Sequence, residues 1–268
     1  MNQTMQKMPT ATVLHDPRER AVAQRFEAKY FLTEVQVDMV RDFISDYTVV
    51  DENKPIYPVT SMYADSPNLA LYKSSFHGEK NRFKLRIRSY VTDEEQPVFA
   101  EVKQRVGRVI RKYRSILHRD VVNNVPRLEA IGEDFLVNPD QPRQRENLML
   151  FSDLAARYIV RPTIGVRYSR EAFVSRFDEP VRITFDRDIA FAPIPERPGD
   201  LWKTSHPWSI AHEAPIVLEI KFTDTYPFWV RRLVQRLQLV RLSMAKYVLC
   251  INELQREGGF FKLYENLE

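Results

Sequence analysis

Residues Arg82-Phe83-Lys84-Leu85-Arg86-Ile87-Arg88 alternate four cations with three apolar side chains, and no other stretch of the chain restricts the fold as much. A β-strand sends successive side chains to opposite faces, so the cations share one face while Phe83, Leu85 and Ile87 share the other. A helix would scatter the same cations around its circumference. On a strand they stand about 7 Å apart, and such crowding is self-repelling unless an anion is expected there.

The design recurs. Residues 25–31 place Arg25, Glu27 and Lys29 on one face, and residues 98–105 do the same with Glu101, Lys103 and Arg105. The polar segment 92–97 joins this second strand to the first cationic one as a hairpin. Residues 106–117 give a strand with Lys112 and Arg114 on one face, and residues 162–173 one with Val166, Tyr168 and Arg170. Residues 181–188 align Arg182, Thr184, Asp186 and Asp188 against Val181, Ile183 and Phe185, and residues 216–222 align Glu219 with Lys221. One such strand reads as the solvated face of an ordinary sheet. Six or more argue for a sheet closed on itself with its charged faces inward, which makes a basic lumen holding a few carboxylates.

Helices are predicted where the period changes. Thr33 and Glu34 open an amphipathic helix carrying Val37, Val40, Phe43 and Ile44. Leu148, Phe151, Leu154, Ala155 and Tyr158 mark a second over 147–159, Pro227 starts a third with Trp229 and Leu233, and 242–254 forms a fourth carrying Lys246. Residues 59–63 read as a short strand before a turn at 65–68. Segment 123–146 reads as loop with a short helix around 127–131, and the proline-rich 192–215 as a long loop. Phe151, Tyr158, Trp229 and Tyr247 are core candidates, and Trp202 and Trp208 packing anchors.

The expected class is α+β: an antiparallel β-barrel with helices packed outside and at its ends. Residues 1–20 lack periodicity and read as a leader, and 21–268 as a single domain. With 40 cations against 36 anions the net charge barely favours a polyanion, so the argument rests on where the cations sit. Cys250 is the sole cysteine, which excludes an internal disulfide and a cysteine-built zinc site, and it is expected to be a buried thiol. The five histidines lack metal-ligand spacing, and no nucleophile elbow surrounds Ser205, His206 or Ser209. No apolar run approaches membrane-spanning length, so the expected location is cytoplasmic.

Inward arginines would fork onto phosphate oxygens and lysines would act as point charges. The pairs Glu27/Lys29, Glu101/Lys103 and Glu219/Lys221 add carboxylates suited to Mg²⁺ or Mn²⁺ in company with phosphate.

The ordered set Glu27-Ala-Lys29-Tyr30, Arg82-Phe-Lys84-Leu-Arg86-Ile-Arg88, Glu101-Val-Lys103, Tyr168-Ser-Arg170, Val181-Arg182-Ile-Thr-Phe-Asp186, Leu218-Glu219-Ile-Lys221 and Lys246-Tyr247 resembles the VTC domain. That family is the polyphosphate polymerase branch of the CYTH or triphosphate tunnel superfamily. The resemblance covers residues 24 to 254 and implies an antiparallel tunnel that moves a phosphoryl group from a nucleoside triphosphate, ATP first, onto a polyphosphate chain with a divalent metal. By position it implies Arg86, Arg88, Lys103 and Lys246 as catalytic cations, and Lys29, Lys84, Lys112, Arg114, Tyr168, Arg170, Arg182 and Lys221 as substrate contacts. Glu219, with Glu101 and Glu27, would serve the metal. Arg25 stands where the wider superfamily's Glu-x-Glu-x-Lys signature begins with Glu, which sets the chain apart from the triphosphate hydrolases. Ala245 stands where VTC members often have Ser. The alternative reading is a non-catalytic module that holds polyphosphate or another phosphorylated ligand; nucleic acid is not the expected partner.

Overall fold

The computed structural model describes residues 25–52, 55–91, 96–107, 109–124, 127–177, 180–212, 214–223, 226–241 and 245–258. The leader expected over 1–20 lies outside them.

β1 (Arg25–Leu32) passes through Thr33 into α1 (Glu34–Ile44). Thr33 Oγ1 accepts from the Gln36 amide at 3.3 Å while the Gln36 side chain accepts from the Thr33 amide at 3.0 Å. This reciprocal cap satisfies donors that a helix start leaves open. β2 (Thr48–Val50), β3 (Ile56–Asp65) and α2 (Ala70–Phe76) follow. β4 (Asn81–Ser89) and β5 (Val98–Val106) make the expected hairpin, and β6 (Val109–Leu117) pairs with β5 to extend it into a meander. The turn between β5 and β6 uses Gly107 at φ 59°, a conformation that a side chain resists.

α3 (Val121–Asn124) and two 3-10 turns, Leu128–Ala130 and Glu133–Phe135, precede α4 (Pro142–Tyr158). Then come β7 (Arg161–Ser175), β8 (Arg182–Ala192), a 3-10 turn at Pro198–Trp202, β9 (Ser209–Ile210), β10 (Ile216–Thr223), α5 (Phe228–Arg236) and α6 (Lys246–Arg256).

All ten strands belong to one antiparallel sheet in the order β1-β10-β8-β7-β3-β4-β5-β6, with β2 on β7 and β9 on β8. The sheet curls but, among the described residues, no ladder joins β1 to β6. Its two ends meet through side chains instead: Lys103 of β5 reaches Glu27 of β1 at 3.1 Å.

Burial explains which face looks inward. Leu85, Ile87, Ala100, Val102 and Leu117 pack against Leu148, Phe151 and Ala155 of α4. Ala28, Tyr30, Ile183, Phe185, Leu218 and Ile220 pack against Val37, Val40 and Ile44 of α1 and Val230 and Leu233 of α5. Each large apolar side chain removed from water contributes about 1.5–3 kcal/mol. With helices taking the apolar faces, the charged faces are left to line the lumen. There Val166, Tyr168 and Val217 pack with Tyr247 and Ile251, so α6 lies on the inner side of the sheet and plugs part of it.

Several elements depart from the sequence reading. α2 was not anticipated and α4 begins five residues earlier than 147; in the expected loop 123–146 the short helix around 127–131 is the 3-10 turn Leu128–Ala130, while the end of α3 and the turn Glu133–Phe135 are additional. β8 continues past Asp188, which sits at φ 52° where the β7–β8 register shifts. Two residues there face one, so Ile189 and Phe191 take over the inner face from Thr184 and Asp186. α6 starts at Lys246; residues 242–244 of the expected helix lie outside the described segments. Among the described residues no helix is long and apolar enough to cross a membrane.

Candidate functional site

Register brings the charged residues together in rows. Arg86 faces Glu101, which faces Arg114; Lys84 faces Lys103, which faces Lys112; Arg82 faces Arg105. On the other side of the lumen Lys29 faces Glu219, which faces Thr184, and Glu27 faces Lys221, which faces Arg182. Arg170 faces Asp186.

Three carboxylate centres organise these rows. Glu101 is 0% exposed. Arg86 donates to its Oε2 through Nε at 2.8 Å and Nη2 at 2.6 Å, Arg114 Nε donates to Oε1 at 2.7 Å, Lys112 Nζ lies 2.7 Å from Oε1, and Arg88 Nη1 4.0 Å from Oε2. Burial alone would raise the Glu101 pKa, but these four cations outweigh it and hold the carboxyl far below the usual range.

Asp186, equally buried, receives a bidentate fork from Arg170 at 2.6 and 2.8 Å and the Lys246 ammonium at 2.5 Å. The third centre is the pair Glu27 and Glu219. Lys29 Nζ stands 3.0 Å from Glu27 and 3.8 Å from Glu219; Lys103 engages Glu27, Lys221 engages Glu219 at 2.5 Å, and Arg170 Nη2 lies 3.7 Å from Glu219. Glu27 is drawn down to about 2 against burial and the repulsion of Glu219, because Lys29, Lys103 and Lys221 surround it. Glu219 is likewise held well below its ordinary value, and Lys29 is raised by both carboxylates despite its burial.

Lys84 is different. Among the described residues no carboxylate pairs with it, and burial first, then Lys103, Lys29, Arg82 and Arg86, push its pKa well below that of an ordinary lysine.

Hydroxyls complete the lining. Tyr168 lies under Lys246 Nζ, 4.6 Å from the ring centroid, and under the Arg170 guanidinium at 5.3 Å. Arg86 Nη1 donates to Tyr63 Oη at 2.9 Å, Arg88 Nε to Ser61 Oγ at 2.9 Å, and Arg114 Nη2 to Tyr90 Oη at 2.7 Å. Burial opposes ionisation of Tyr90, yet Arg88, Arg114 and Lys112 bring its hydroxyl down to about 8. Arg182 pairs with Asp51 at 2.5 Å. Asp186 was visible in the sequence as a member of a charged face, although its hub role was not. Ser61 and Tyr63 carry no sequence signal, because only the β3–β4 register places them opposite Arg88 and Arg86.

The residues singled out in the sequence therefore share one lumen: Lys29, Lys84, Arg86, Arg88, Lys103, Lys112, Arg114, Tyr168, Arg170, Lys221, Lys246, Glu27, Glu101 and Glu219, with Arg182 on the same face of β8. The cations outnumber the carboxylates that pair with them among the described residues, Glu27, Asp51, Glu101, Asp186 and Glu219.

Residues 24–255 match the family described as VTC domain. The chain belongs to the VTC domain family. Solved structures similar to this VTC domain include a candidate adenylate cyclase from Vibrio parahaemolyticus, 12% identical, covering 85% of this chain and 98% of that one with a TM-score of 0.44. Another is a candidate adenylyl cyclase from Hippeastrum described as having a dominant triphosphatase activity, 13% identical, covering 88% and 96% with a TM-score of 0.47. No curated protein matches the chain.

Proposed function

We propose that this VTC domain binds a nucleoside triphosphate, ATP first, and an inorganic phosphate chain in its lumen and, with Mn²⁺ or Mg²⁺, transfers the terminal phosphoryl group to the chain. The observation that carries this reading is the surplus of inward cations, with Lys84 half-buried among like charges and unpaired by any described carboxylate. Such a lumen is electrostatically incomplete until a polyanion fills it.

Arg86, Arg88, Lys103 and Lys246 are the proposed catalytic cations: aimed at the reacting phosphoryl oxygens, they offset charge as it redistributes. Lys29, Lys84, Lys112, Arg114, Arg170, Arg182 and Lys221 hold the remaining phosphates, and Tyr168 packs beneath Arg170 and Lys246. Positioning and charge neutralisation are most of what phosphoryl transfer asks of a protein.

The residues fit a divalent metal at one place. Glu27 and Glu219 converge around Lys29, and the Thr184 hydroxyl opposite Glu219 is buried without a hydrogen-bond partner among the described residues, a third hard oxygen. Among the described residues no group of three or more His, Cys, Asp or Glu could hold a metal unaided. The fit is with an ion that completes its shell from substrate phosphate, as Mg²⁺ commonly does. When bound, such an ion would neutralise phosphate charge and align the transferring group. Glu101 is the poorest candidate of the three, since Arg86, Arg114 and Lys112 hold both its oxygens within 2.8 Å, whereas the cations on Glu27 stand at 3.0 Å or more and one oxygen of Glu219 has none closer than 3.7 Å; we assign Glu101 the fixing of Arg86 and Arg114. We read residues 21–268 as one domain because a single sheet runs through all the described strands.

Incubation with ATP and Mn²⁺ is expected to yield acid-insoluble phosphate chains. A protein that binds polyphosphate but makes none with any nucleotide or metal would be the binding module instead, a reading favoured by carboxylates already engaged with lysines.

A further inference from the structure

The cationic strip extends further along β4 and β5 than a triphosphate needs. From Arg88 to Arg82 the inner face of β4 runs about 20 Å. Arg86, Arg88, Lys112, Arg114, Arg170 and Lys246 gather around Glu101 and Asp186, the part of the lumen that the proposed function gives to the triphosphate. Toward the rim Lys84 stands directly opposite the proposed catalytic Lys103, and past that pair Arg82 stands opposite Arg105. Like charges placed opposite each other on neighbouring strands destabilise a sheet, so the arrangement calls for an occupant.

Among the described residues none of Arg82, Lys84 and Arg105 makes an ion pair. Arg82 donates through Nη1 to the Glu79 carbonyl and Arg105 through Nε to the Gly107 carbonyl at 2.9 Å, contacts that fix the guanidiniums without neutralising them. Arg82 and Arg105 lie one residue inside the ends of β4 and β5, at the rim of the lumen. Burial first and then the neighbouring Arg105 lower the Arg82 pKa, and the nearby Glu79 offsets them only in part.

We infer that Arg82, Lys84 and Arg105 form a rim subsite for the distal phosphates of a chain longer than a triphosphate, so that the lumen selects long polyphosphate over short. The inference rests on the phosphate-tunnel reading above and adds chain-length selection to it. A long chain would lie along the strip with its reacting end among Arg86, Arg88, Arg170 and Lys246 and its distal units between Lys84 and the rim arginines.

The test measures affinity for two probes, inorganic tripolyphosphate and size-fractionated long-chain polyphosphate, in wild type and in Arg82→Ala/Arg105→Ala. The expected result is a fall in long-chain affinity of about ten-fold or more, several-fold greater than any fall for tripolyphosphate, with Arg82→Lys/Arg105→Lys recovering most of the difference. The ligand-free alanine variant should melt no lower than wild type, because the substitutions relieve repulsion. Equal losses for both probes in a folded variant overturn the rim subsite and leave the tunnel standing. A wild-type protein that binds neither probe overturns the tunnel reading itself.

Discussion

Glu101 and Glu219 are both buried lumen carboxylates, yet their surroundings give them different work. Glu101 is enclosed by Arg86, Arg88, Lys112 and Arg114. Replacing it with Gln removes the charge that lets those cations coexist, and breaking a buried pair typically costs about 3–5 kcal/mol. Glu101→Gln should therefore lower the ligand-free melting temperature sharply, and polyphosphate at about 100 times its Kd should return about 2.7 kcal/mol by linkage. A variant that melts like wild type without ligand would show that Glu101 is not the fixture. Glu219 has one close cation, Lys221, with Lys29 and Arg170 at 3.7–3.8 Å, and it stands opposite the Thr184 hydroxyl, which has no hydrogen-bond partner among the described residues. Glu219→Gln should leave polyphosphate binding intact, because it removes an anion from a cationic lumen, while metal-dependent turnover falls at least about 100-fold, roughly 2.7 kcal/mol of barrier. Turnover like that of wild type across a Mn²⁺ titration would remove Glu219 from the metal site.

At the scale of elements, α2 shows what a long-range cap does. Leu69, at φ 55°, supplies no side-chain cap. Asp65, at the end of β3, accepts from the Leu71 amide at 2.8 Å, the Tyr72 amide at 2.7 Å and the Tyr247 hydroxyl of α6 at 2.6 Å. One carboxylate thus ties α2 to the helix that plugs the lumen. Asp65→Ala should cost about 3 kcal/mol, since several buried donors lose their acceptor together. Amide exchange should accelerate first in α2 and at the start of α6, and uniform acceleration across the sheet would contradict the local role. This remote cap also explains why α2 was illegible: its stabilising group lies six and seven residues upstream of the amides it serves. The strands were legible because alternation is local, so Arg82 to Arg88 announces both its conformation and its two faces. What alternation could not give was register. It placed Glu101 on a charged face but not between Arg86 and Arg114, and it missed the bulge at Asp188 that hands the inner face from Asp186 to Ile189. The early start of α4 escaped for another reason: Pro142 to Arg145 is polar, and a Pro at the first turn is tolerated without an apolar stripe to betray it.

For the whole molecule, the decisive fact is that the sheet's ends are joined by charge. Among the described residues no backbone ladder links β1 to β6, while Glu27 on β1 pairs with Lys103 on β5 across that gap and with Lys29 beside it. The carboxyl falls from 4.5 to about 2 in the fold, so its contribution is complete above pH 4.5 and is lost as pH drops from there toward 2. A shift of that size corresponds to about 3 kcal/mol of linkage. Glu101 and Glu219, also depressed, add to acid sensitivity in the same direction. Glu27→Gln carries the protonated state's lack of charge at every pH. It should lose about 3 kcal/mol at pH 7 and show a flatter stability profile between pH 4.5 and 2, while keeping the α1 and α4 cores that do not depend on it. Denaturant melts at stepped pH on both proteins measure this directly. An acid profile for Glu27→Gln parallel to that of wild type, offset or not, would mean that the ends of the sheet are held by something other than this carboxylate.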